Sequence, residues 1–206
     1  MAIHPEDRQT GSSLDLALPD GDLRLFPAID FAPMGKDMLS RLQASIPWRQ
    51  ESITLFGRTH AQPRLICWMG DAGCTYRYSG RTWEPEPWDS LVADLHSRVE
   101  ELTGERFNSV LLNLYRDGSD SMGFHADDEP ELGKTPVIAS LSFGAERVMH
   151  FRHRHDRSLP TRKIALPDGS LLVMRGETQA NWRHAIPKTR RPVGPRINLT
   201  FRRIMI

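Results

Sequence analysis

The sequence predicts an α+β domain in which short strands form a sandwich or jelly roll and helices pack on the outside. Beyond Gly104, five segments are rich in β-forming residues or alternate polar and apolar residues with period two. Turn-forming groups such as Asp117-Gly118-Ser119 separate these segments, and such spacing of short strands is typical of sandwiches and jelly rolls. Before Gly104, two segments have apolar residues at the helical period.

Two helices are predicted in the first half of the chain. The first has the apolar residues Met38, Leu39, Leu42 and Ile46 on one side. It ends at Pro47, because proline cannot continue a helix. The second runs from Trp88 to Leu102, and Gly104 is a suitable residue just past its end.

The remaining chain is divided by its local patterns. Strands are predicted at Ser109–Arg116, Pro136–Phe143, Arg147–His153, Ser170–Met174 and Arg196–Ile204. Residues 53–83 predict further strands, broken by glycines, that form a hairpin-rich flap over the mouth of the barrel. Residues 1–22 are polar and rich in turn formers, and we interpret them as a loose arm. Residues 23–206 would then form one domain, with the flap at about 53–83 and the jelly roll at about 105–206.

Composition excludes several classes of protein. Hydrophobic residues make up 39% and charged residues 26% of the 206 residues, which excludes wholesale disorder. No apolar run approaches the ~20 residues of a membrane span, and the N-terminus does not resemble a secretory signal. Cys67 and Cys74 match neither a disulfide framework nor a zinc motif, which favours a reducing compartment. We therefore expect a monomer in the cytoplasm, or in the nucleus of a eukaryote.

Charge is divided unevenly along the chain. The net charge is +1, but residues 147–206 carry 14 Lys and Arg against 3 Asp and Glu. This division favours a surface for a polyanion in the C-terminal part. The alternative is that the two parts neutralise each other within one fold.

His125-Ala126-Asp127 is the first group that indicates chemistry. In an extended chain, residues i and i+2 point to the same side, so this imidazole and this carboxylate converge. His184 is the best candidate for a third ligand, and two His with one carboxylate form the facial triad of non-haem Fe(II) oxygenases. The alternative is that His125 and Asp127 only form hydrogen bonds within a loop.

The last predicted strand has one polar and one apolar face. Its polar face carries Arg196, Asn198, Thr200 and Arg202. If this face points inward, two guanidinium groups would fit the two ends of a dicarboxylate, and Asn113 and Tyr115 form a similar polar pair. If it points outward, it is an ordinary solvated strand face. A facial triad beside an arginine-lined slot is what a 2-oxoglutarate oxygenase needs.

Three further histidines lie in a basic segment. His150, His153 and His155 alternate with Arg152 and Arg154, and so many cations disfavour a metal site. The segment is either an edge that faces phosphates or a solvated strand end.

Several motifs in one order carry a resemblance to a known family. They are Asn113–Asp120 (NLYRDGSD), His125–Glu129 (HADDE), Ala139–Gly144 (ASLSFG), His184 and Arg196–Arg202 (RINLTFR). From about Leu55 to Arg203 the chain resembles the AlkB family of Fe(II)/2-oxoglutarate-dependent nucleic-acid dealkylases. It is most similar to the subgroup that repairs alkylated bases in duplex DNA.

The resemblance implies a double-stranded β-helix with outer helices and an N-terminal nucleotide-recognition lid. It implies that His125, Asp127 and His184 ligate Fe(II), and that O2 and 2-oxoglutarate are co-substrates. The residues around 2-oxoglutarate would be Asn113, Tyr115, Arg196, Asn198, Thr200 and Arg202. The implied reaction removes methyl groups from bases of the 1-methyladenine and 3-methylcytosine type and releases formaldehyde, succinate and CO2.

The resemblance also implies a surface for alkylated DNA, single- or double-stranded, with RNA as a further substrate. Its residues would be Phe56, Gly57, Arg58, Tyr76, Arg77, Tyr78, Asp128, Glu129, Arg190 and Arg191. The tyrosines match an aromatic lid over the flipped base, and Phe56 matches a finger that fills the vacated position. The segment between His153 and Ser170 is shorter than in the duplex-specific enzymes, and Thr189 replaces a basic residue, which favours single strands. The tyrosine pair and the Phe56 finger favour duplex DNA instead.

Two functions from other classes remain open. One is an Fe(II)/2-oxoglutarate oxygenase that acts on protein or small molecules. The other is a non-catalytic basic β-domain that binds nucleic acid, with His125 and His184 as core residues.

Overall fold

A computed structural model describes residues 12–31, 34–55, 58–78 and 81–205. The helices are α1 (Met38–Ser45), α2 (Ser90–Thr103) and α3 (Thr178–Asn181). The strands of the first half are β1 (Leu14–Leu18), β2 (Gly21–Phe26), β3 (Ser52–Leu55), β4 (Arg58–Ala61), β5 (Leu65–Gly70), β6 (Tyr76–Tyr78) and β7 (Arg81–Trp83). Those of the second half are β8 (Ser109–Tyr115), β9 (Met122–His125), β10 (Ile138–Gly144), β11 (Arg147–His153), β12 (Arg162–Leu166), β13 (Leu171–Arg175), β14 (Trp182–Ile186) and β15 (Arg196–Arg202).

Within these ranges the strands form two antiparallel sheets and two separate hairpins. The larger sheet has seven strands in the order β1-β2-β13-β10-β15-β8-β5, and the smaller has four in the order β12-β11-β14-β9. From β8 to β15 the chain passes back and forth between the sheets, apart from the β11–β12 hairpin within one of them. Eight strands in two such sheets form a jelly roll, which confirms that part of the predicted fold.

Apolar side chains fill both sides of the larger sheet. One buried cluster joins its inner face to the smaller sheet and includes Leu25, Leu172, Phe151 and Trp182. The other cluster joins its outer face to residues of α1 and α2, including Leu42 and Leu95. Alternation with period two puts successive residues of a strand into opposite clusters. The inner faces therefore face each other across a packed interior.

The two longer helices begin and end where the sequence indicates. The Asp37 and Asp89 side chains accept hydrogen bonds from the first turns of α1 and α2, and Gly104 ends α2 in the left-handed conformation with φ of 71°. The first helix was predicted around Met38–Ile46, and the second around Trp88–Leu102, so both predictions are confirmed to within two residues. In the described part of the chain, no helix is long and apolar enough to cross a bilayer.

The predicted loose arm at residues 1–22 is wrong for its second half. Residues 14–18 form β1, which pairs with β2, and β2 in turn pairs with β13 in the larger sheet. The group Pro19-Asp20-Gly21, interpreted as part of an arm, is the turn of this hairpin, with Asp20 at a positive φ of 52°. Residues 1–11 lie outside the described residues. The sheet therefore begins before residue 23, the predicted start of the domain.

The predicted flap at residues 53–83 is not one unit. Its middle strand, β5, pairs with β8 along its whole length and forms one edge of the larger sheet. Cys67 and Met69 of β5 are buried in the outer cluster, because that edge still lies over the helices. The flanking hairpins, β3–β4 and β6–β7, are the parts that leave the sheet.

Five strands were predicted in the second half, and all five are present with ends shifted by at most two residues. β9, β12 and β14, which are four or five residues long, were not among the predicted strands. His184, the candidate third ligand, lies within β14.

Gly144 is a position where the fold requires glycine. Its φ is +89°, and an added Cβ would lie 2.5 Å from the carbonyl oxygen of Pro195. We expect Gly144→Ala to lower the free energy of unfolding by about 1–3 kcal/mol, the cost of a strained backbone position. Gly194→Ala is the matched control, since nothing lies within 4 Å of its added Cβ. Equal midpoints for both variants in urea denaturation would contradict this expectation.

Candidate functional site

His125, Asp127 and His184 converge at one end of the smaller sheet. His184 on β14 lies directly opposite His125 at the end of β9, and their ring centroids are 4.3 Å apart. Asp127 follows β9 by two residues, and one ligand atom from each of the three residues lies within 4.8 Å of the others. The structure therefore brings the predicted triad together.

Neighbouring atoms fix the orientation of these groups. His125 Nδ1 lies 2.9 Å from the carbonyl oxygen of Gly123, so this nitrogen carries the proton and Nε2 is left as a ligand. Asp127 Oδ1 accepts a hydrogen bond from Arg202 Nη2 at 2.8 Å. The other oxygen, Oδ2, lies 4.0 Å from His184 Nε2.

Burial and neighbouring charges set the protonation states of the triad. Burial is the main cause that lowers the pKa of His184 to about 3, and the nearby His125 adds to the effect. Burial alone would raise the pKa of Asp127, but nearby positive charge, above all the Arg202 guanidinium, holds it below its ordinary value. At neutral pH His184 is therefore a neutral imidazole and Asp127 a carboxylate, which are the forms that bind metals.

The triad fits a divalent cation on structural grounds. Asp127 Oδ2 is buried and has no hydrogen-bond partner among the described residues. A buried carboxylate oxygen without a partner is costly, and a bound ion is one of the few ways to compensate it. Two His and one carboxylate leave coordination positions open, as in non-haem Fe(II) oxygenases.

The polar face of β15 points inward. Arg196 is 1% exposed, and Asn198 and Thr200 are also buried, which excludes the solvated-face alternative. Arg196 Nη2 donates to Ser142 Oγ at 2.9 Å, and Asn198 Nδ2 donates to Ser140 Oγ at 2.8 Å. The neighbouring strands therefore hold these side chains as a row between the two sheets.

Arg196 is a buried cation with unused donors. Its Nε and Nη1 atoms have no hydrogen-bond partner within the described ranges. Its guanidinium carbon lies 5.3 Å from the centre of the Tyr115 ring, and Arg147 lies 5.6 Å from the same centre. Burial lowers the pKa of Arg196 to about 10, although Tyr115 opposes the shift and Arg147 adds to it. An anionic group in this slot would satisfy the unused donors.

Some residues of the site were missed in the sequence. Arg64 precedes β5, is buried, and donates from Nε to Asn113 Oδ1 at 2.7 Å. Gln179 accepts a hydrogen bond from the Asp127 backbone N–H at 2.9 Å. No local pattern indicated these two. Ser140 and Ser142 alternate with apolar residues on β10, and that pattern could have identified them as partners of β15.

The residues predicted to contact nucleic acid are only partly described. Asp128 Oδ2 accepts from Arg154 Nη1 at 2.6 Å, and Glu129 is half-buried. Arg190 and Arg191 are exposed on the loop between β14 and β15. Phe56 and Gly57 lie outside the described residues. For the following residues the backbone is described and the side chains are not: Arg58 in β4 and Tyr76, Arg77 and Tyr78 in β6.

The basic histidine segment is not a single edge. His153 is buried against Trp182, with ring centroids 5.0 Å apart. Arg152 is exposed and lies 4.3 Å over the ring of Phe124. Successive residues of β11 therefore face opposite sides of the smaller sheet, and the structure divides the segment between them.

Comparison with known proteins identifies the family. The model of the 2OG-Fe(II) oxygenase superfamily matches residues 22–202. This chain belongs to the 2OG-Fe(II) oxygenase superfamily. Fe(II), 2-oxoglutarate and O2 are the metal and co-substrates that this family implies, and the His-Asp-His cluster fits that assignment.

Within the superfamily the chain is similar to proteins of the AlkB family. It is 45% identical over 175 residues to "Alpha-ketoglutarate-dependent dioxygenase alkB homolog 3" of Homo sapiens, covering 81% of this chain and 60% of that protein. It is 43% identical over 160 residues to "DNA oxidative demethylase ALKBH2" of Homo sapiens, covering 75% and 61%. The chain thus spans about 60% of the length of these two relatives.

A solved structure supports the fold alone. It is an oxidoreductase of the 2OG-Fe(II) oxygenase family from Burkholderia pseudomallei, with a TM-score of 0.57 and 16% sequence identity. The similarity covers 87% of this chain and 84% of that one.

The unused donors of Arg196 generate a prediction about stability. A buried cation without a carboxylate partner destabilises the ligand-free protein, so a linear apolar side chain should be tolerated there. We expect Arg196→Met to unfold at or above the wild-type midpoint in thermal denaturation without ligands. Arg49→Met, which removes an exposed partner of Glu86, should change stability by less than about 0.5 kcal/mol. A clear loss of stability in Arg196→Met would show that Ser142 and Tyr115 already compensate its charge.

Proposed function

We propose that this protein is an Fe(II)/2-oxoglutarate-dependent dioxygenase that demethylates N-alkylated bases in DNA and thereby repairs them directly. The observation that carries the proposal is the buried Asp127 Oδ2, which has no hydrogen-bond partner among the described residues and lies near two imidazoles, beside an inward row of cationic and amide side chains. The relative named as a DNA oxidative demethylase supports the choice of substrate.

In this proposal, His125, Asp127 and His184 hold Fe(II). Iron bound there with 2-oxoglutarate and O2 supplies the oxidation of the N-methyl carbon, with succinate, CO2 and formaldehyde as products. The hydrogen bond from His125 Nδ1 to Gly123 keeps Nε2 directed to the metal. Arg202 contacts Asp127 Oδ1, so Oδ2, which has no partner in the described part of the chain, would be the ligand atom.

The inward row on β15 and β8 would bind 2-oxoglutarate. Arg196 is suited to the distal carboxylate, because its unused Nε and Nη1 can form a bidentate pair. Arg202, adjacent to Asp127, is suited to the carboxylate near the metal. Side chains that would line the rest of this slot are Asn113, Tyr115, Asn198 and Thr200.

The alkylated base would be bound after it has left the base stack of the nucleic acid. Its methyl group lies on the Watson–Crick edge, so the base must be flipped into a pocket. The 1-methyladenine and 3-methylcytosine lesions are cationic, and Asp128 and Glu129 directly follow the metal ligand Asp127 in the chain. By resemblance, residues 53–83 would supply the nucleotide-recognition lid, with Tyr76 and Tyr78 over the flipped base and Phe56 and Gly57 in the finger that fills the vacated position. Arg58 and Arg77 would be further contacts to the substrate.

The first experiment is a comparison of formaldehyde release from four methylated oligonucleotides: single- and double-stranded DNA and RNA. A methyl-lysine peptide in the same assay tests the alternative that the substrate is a protein. Release from any oligonucleotide, dependent on Fe(II) and 2-oxoglutarate, supports the proposal. Release from the peptide alone would replace it with the alternative, and no 2-oxoglutarate turnover would favour a non-catalytic binding domain.

We expect His125→Ala, Asp127→Ala and His184→Ala each to abolish formaldehyde release, because each removes one of three metal ligands. Circular dichroism should show that the strands are retained. His150→Ala is the control, since the adjacent Phe151 lies opposite His184 and the His150 side chain is on the other face of β11. A triad variant with near-wild-type turnover in saturating Fe(II) would remove that residue from the metal site.

Arg190 and Arg191 are the candidates for phosphate contacts. Both are exposed on the loop that follows β14, and we expect their double Ala variant to flatten the plot of log affinity against log salt by about 1.5 units. The loss should be equal for methylated and undamaged strands, because phosphate contacts carry no sequence information. Arg24→Ala with Arg98→Ala is the control, since Asp15 and Glu101 already pair with these arginines. An unchanged slope would place the phosphate contacts elsewhere.

A further inference from the structure

Gln179 connects the triad to the turn between β13 and β14. It lies in α3, and it is 1% exposed. Its Oε1 accepts a hydrogen bond from the backbone N–H of Asp127 at 2.9 Å, and both atoms are buried. The Asp127 backbone is thus held by a side chain 52 residues later in the sequence.

The contact from Gln179 complements the one from Arg202. Arg202 Nη2 donates to Asp127 Oδ1 at 2.8 Å, so it fixes the carboxylate, whereas Gln179 fixes the main chain that bears it. With both contacts in place, Oδ2 is the atom of the carboxylate without a partner in the described part of the chain. The direction in which Oδ2 points is therefore set from two sides.

Gln179 is itself held in place. Its Nε2 donates to Met174 Sδ at 3.4 Å, and Oε1 faces the Asp127 N–H because only the amide oxygen can accept. The backbone carbonyl oxygen of Gln179 accepts a hydrogen bond from Arg154 Nη1 at 3.1 Å. The preceding Thr178 accepts a hydrogen bond from the Asp22 N–H at 2.9 Å, which ties α3 to β2. An acceptor that is fixed at both ends can position the group that it contacts.

We propose that Gln179 is a positioning residue for the metal, which holds the Asp127 main chain so that Oδ2 points at the ion. This inference rests on the proposed function, because it assumes that Asp127 ligates the metal. The same contacts connect the metal site to Asp128, a candidate residue for recognition of the alkylated base. Arg154 Nη1 contacts both the Gln179 carbonyl and Asp128 Oδ2, so the metal ligand and the adjacent carboxylate share one support.

The test measures metal affinity rather than turnover. Mn(II) is titrated into the full chain without nucleic acid or 2-oxoglutarate, and free Mn(II) is followed by electron paramagnetic resonance. Gln179→Met keeps the length of the side chain but removes the acceptor. We expect it to weaken Mn(II) binding about 10–100-fold, the usual effect of losing a group that orients a metal ligand.

Met174→Leu is the matched control. It removes the sulfur that contacts Gln179 Nε2 but leaves the bond from Asp127 to Oε1, so its Mn(II) affinity should stay within about 2-fold of wild type. If Gln179→Met does not fold, Gln179→Asn replaces it. Its amide is shorter by one methylene and cannot reach Asp127, so it should weaken Mn(II) binding as well.

Asp127→Ala separates failure of the metal site itself from failure of the positioning role of Gln179. If Asp127→Ala loses Mn(II) binding while a folded Gln179 variant binds like wild type, Gln179 only packs and the inference is overturned. If Asp127→Ala binds as tightly as wild type, the metal site itself is wrong, and the inference fails with it. Loss in both variants with the Met174→Leu control intact supports the positioning role.

Discussion

The contact between Arg202 and Asp127 joins the two halves of the site. Asp127 follows β9 of the smaller sheet, and Arg202 ends β15 of the larger one. A buried carboxylate is stable only if it is paired and hydrogen-bonded, and Arg202 pairs with it at 2.8 Å. Because the triad lies on one sheet and the inward cationic row on the other, this ion pair connects the two directly.

The charges of the site explain why its ligands should bind together. Arg196 and Arg202 are largely buried, and Asp127 is the carboxylate that pairs with Arg202. A lone divalent cation would add charge beside a guanidinium, and a lone dicarboxylate would leave Asp127 Oδ2 without a partner. A dication and a dianion together bring no net charge. The row on β15 and the triad are thus two parts of one electrostatic arrangement.

The sequence predicts those parts of the site that depend on alternation within one strand. His125 and Asp127 share a side because they are two residues apart, and the polar row of β15 follows the same rule. The hairpin β1–β2 was missed because turn formers such as Asp20 occur equally in loose arms and in tight turns. Arg64 and Gln179 could not be predicted, because each acts on a residue about fifty positions away. Such contacts depend on tertiary packing, which no local pattern contains.

The pair between Asp128 and Arg154 bears on how a cationic base would be distinguished from a neutral one under the proposed function. Both side chains are partly exposed, so the pair contributes at most about 1 kcal/mol and can be exchanged at little cost. A cationic base could replace Arg154 as the partner of Asp128, because its own charge pair with Asp128 compensates the loss of the Arg154 pair. A neutral base cannot restore that pair, and it would leave the carboxylate with weaker hydrogen bonds. Selectivity for cationic lesions would then arise from competition with a residue of the protein, in addition to the lower cost of flipping a base that pairs badly.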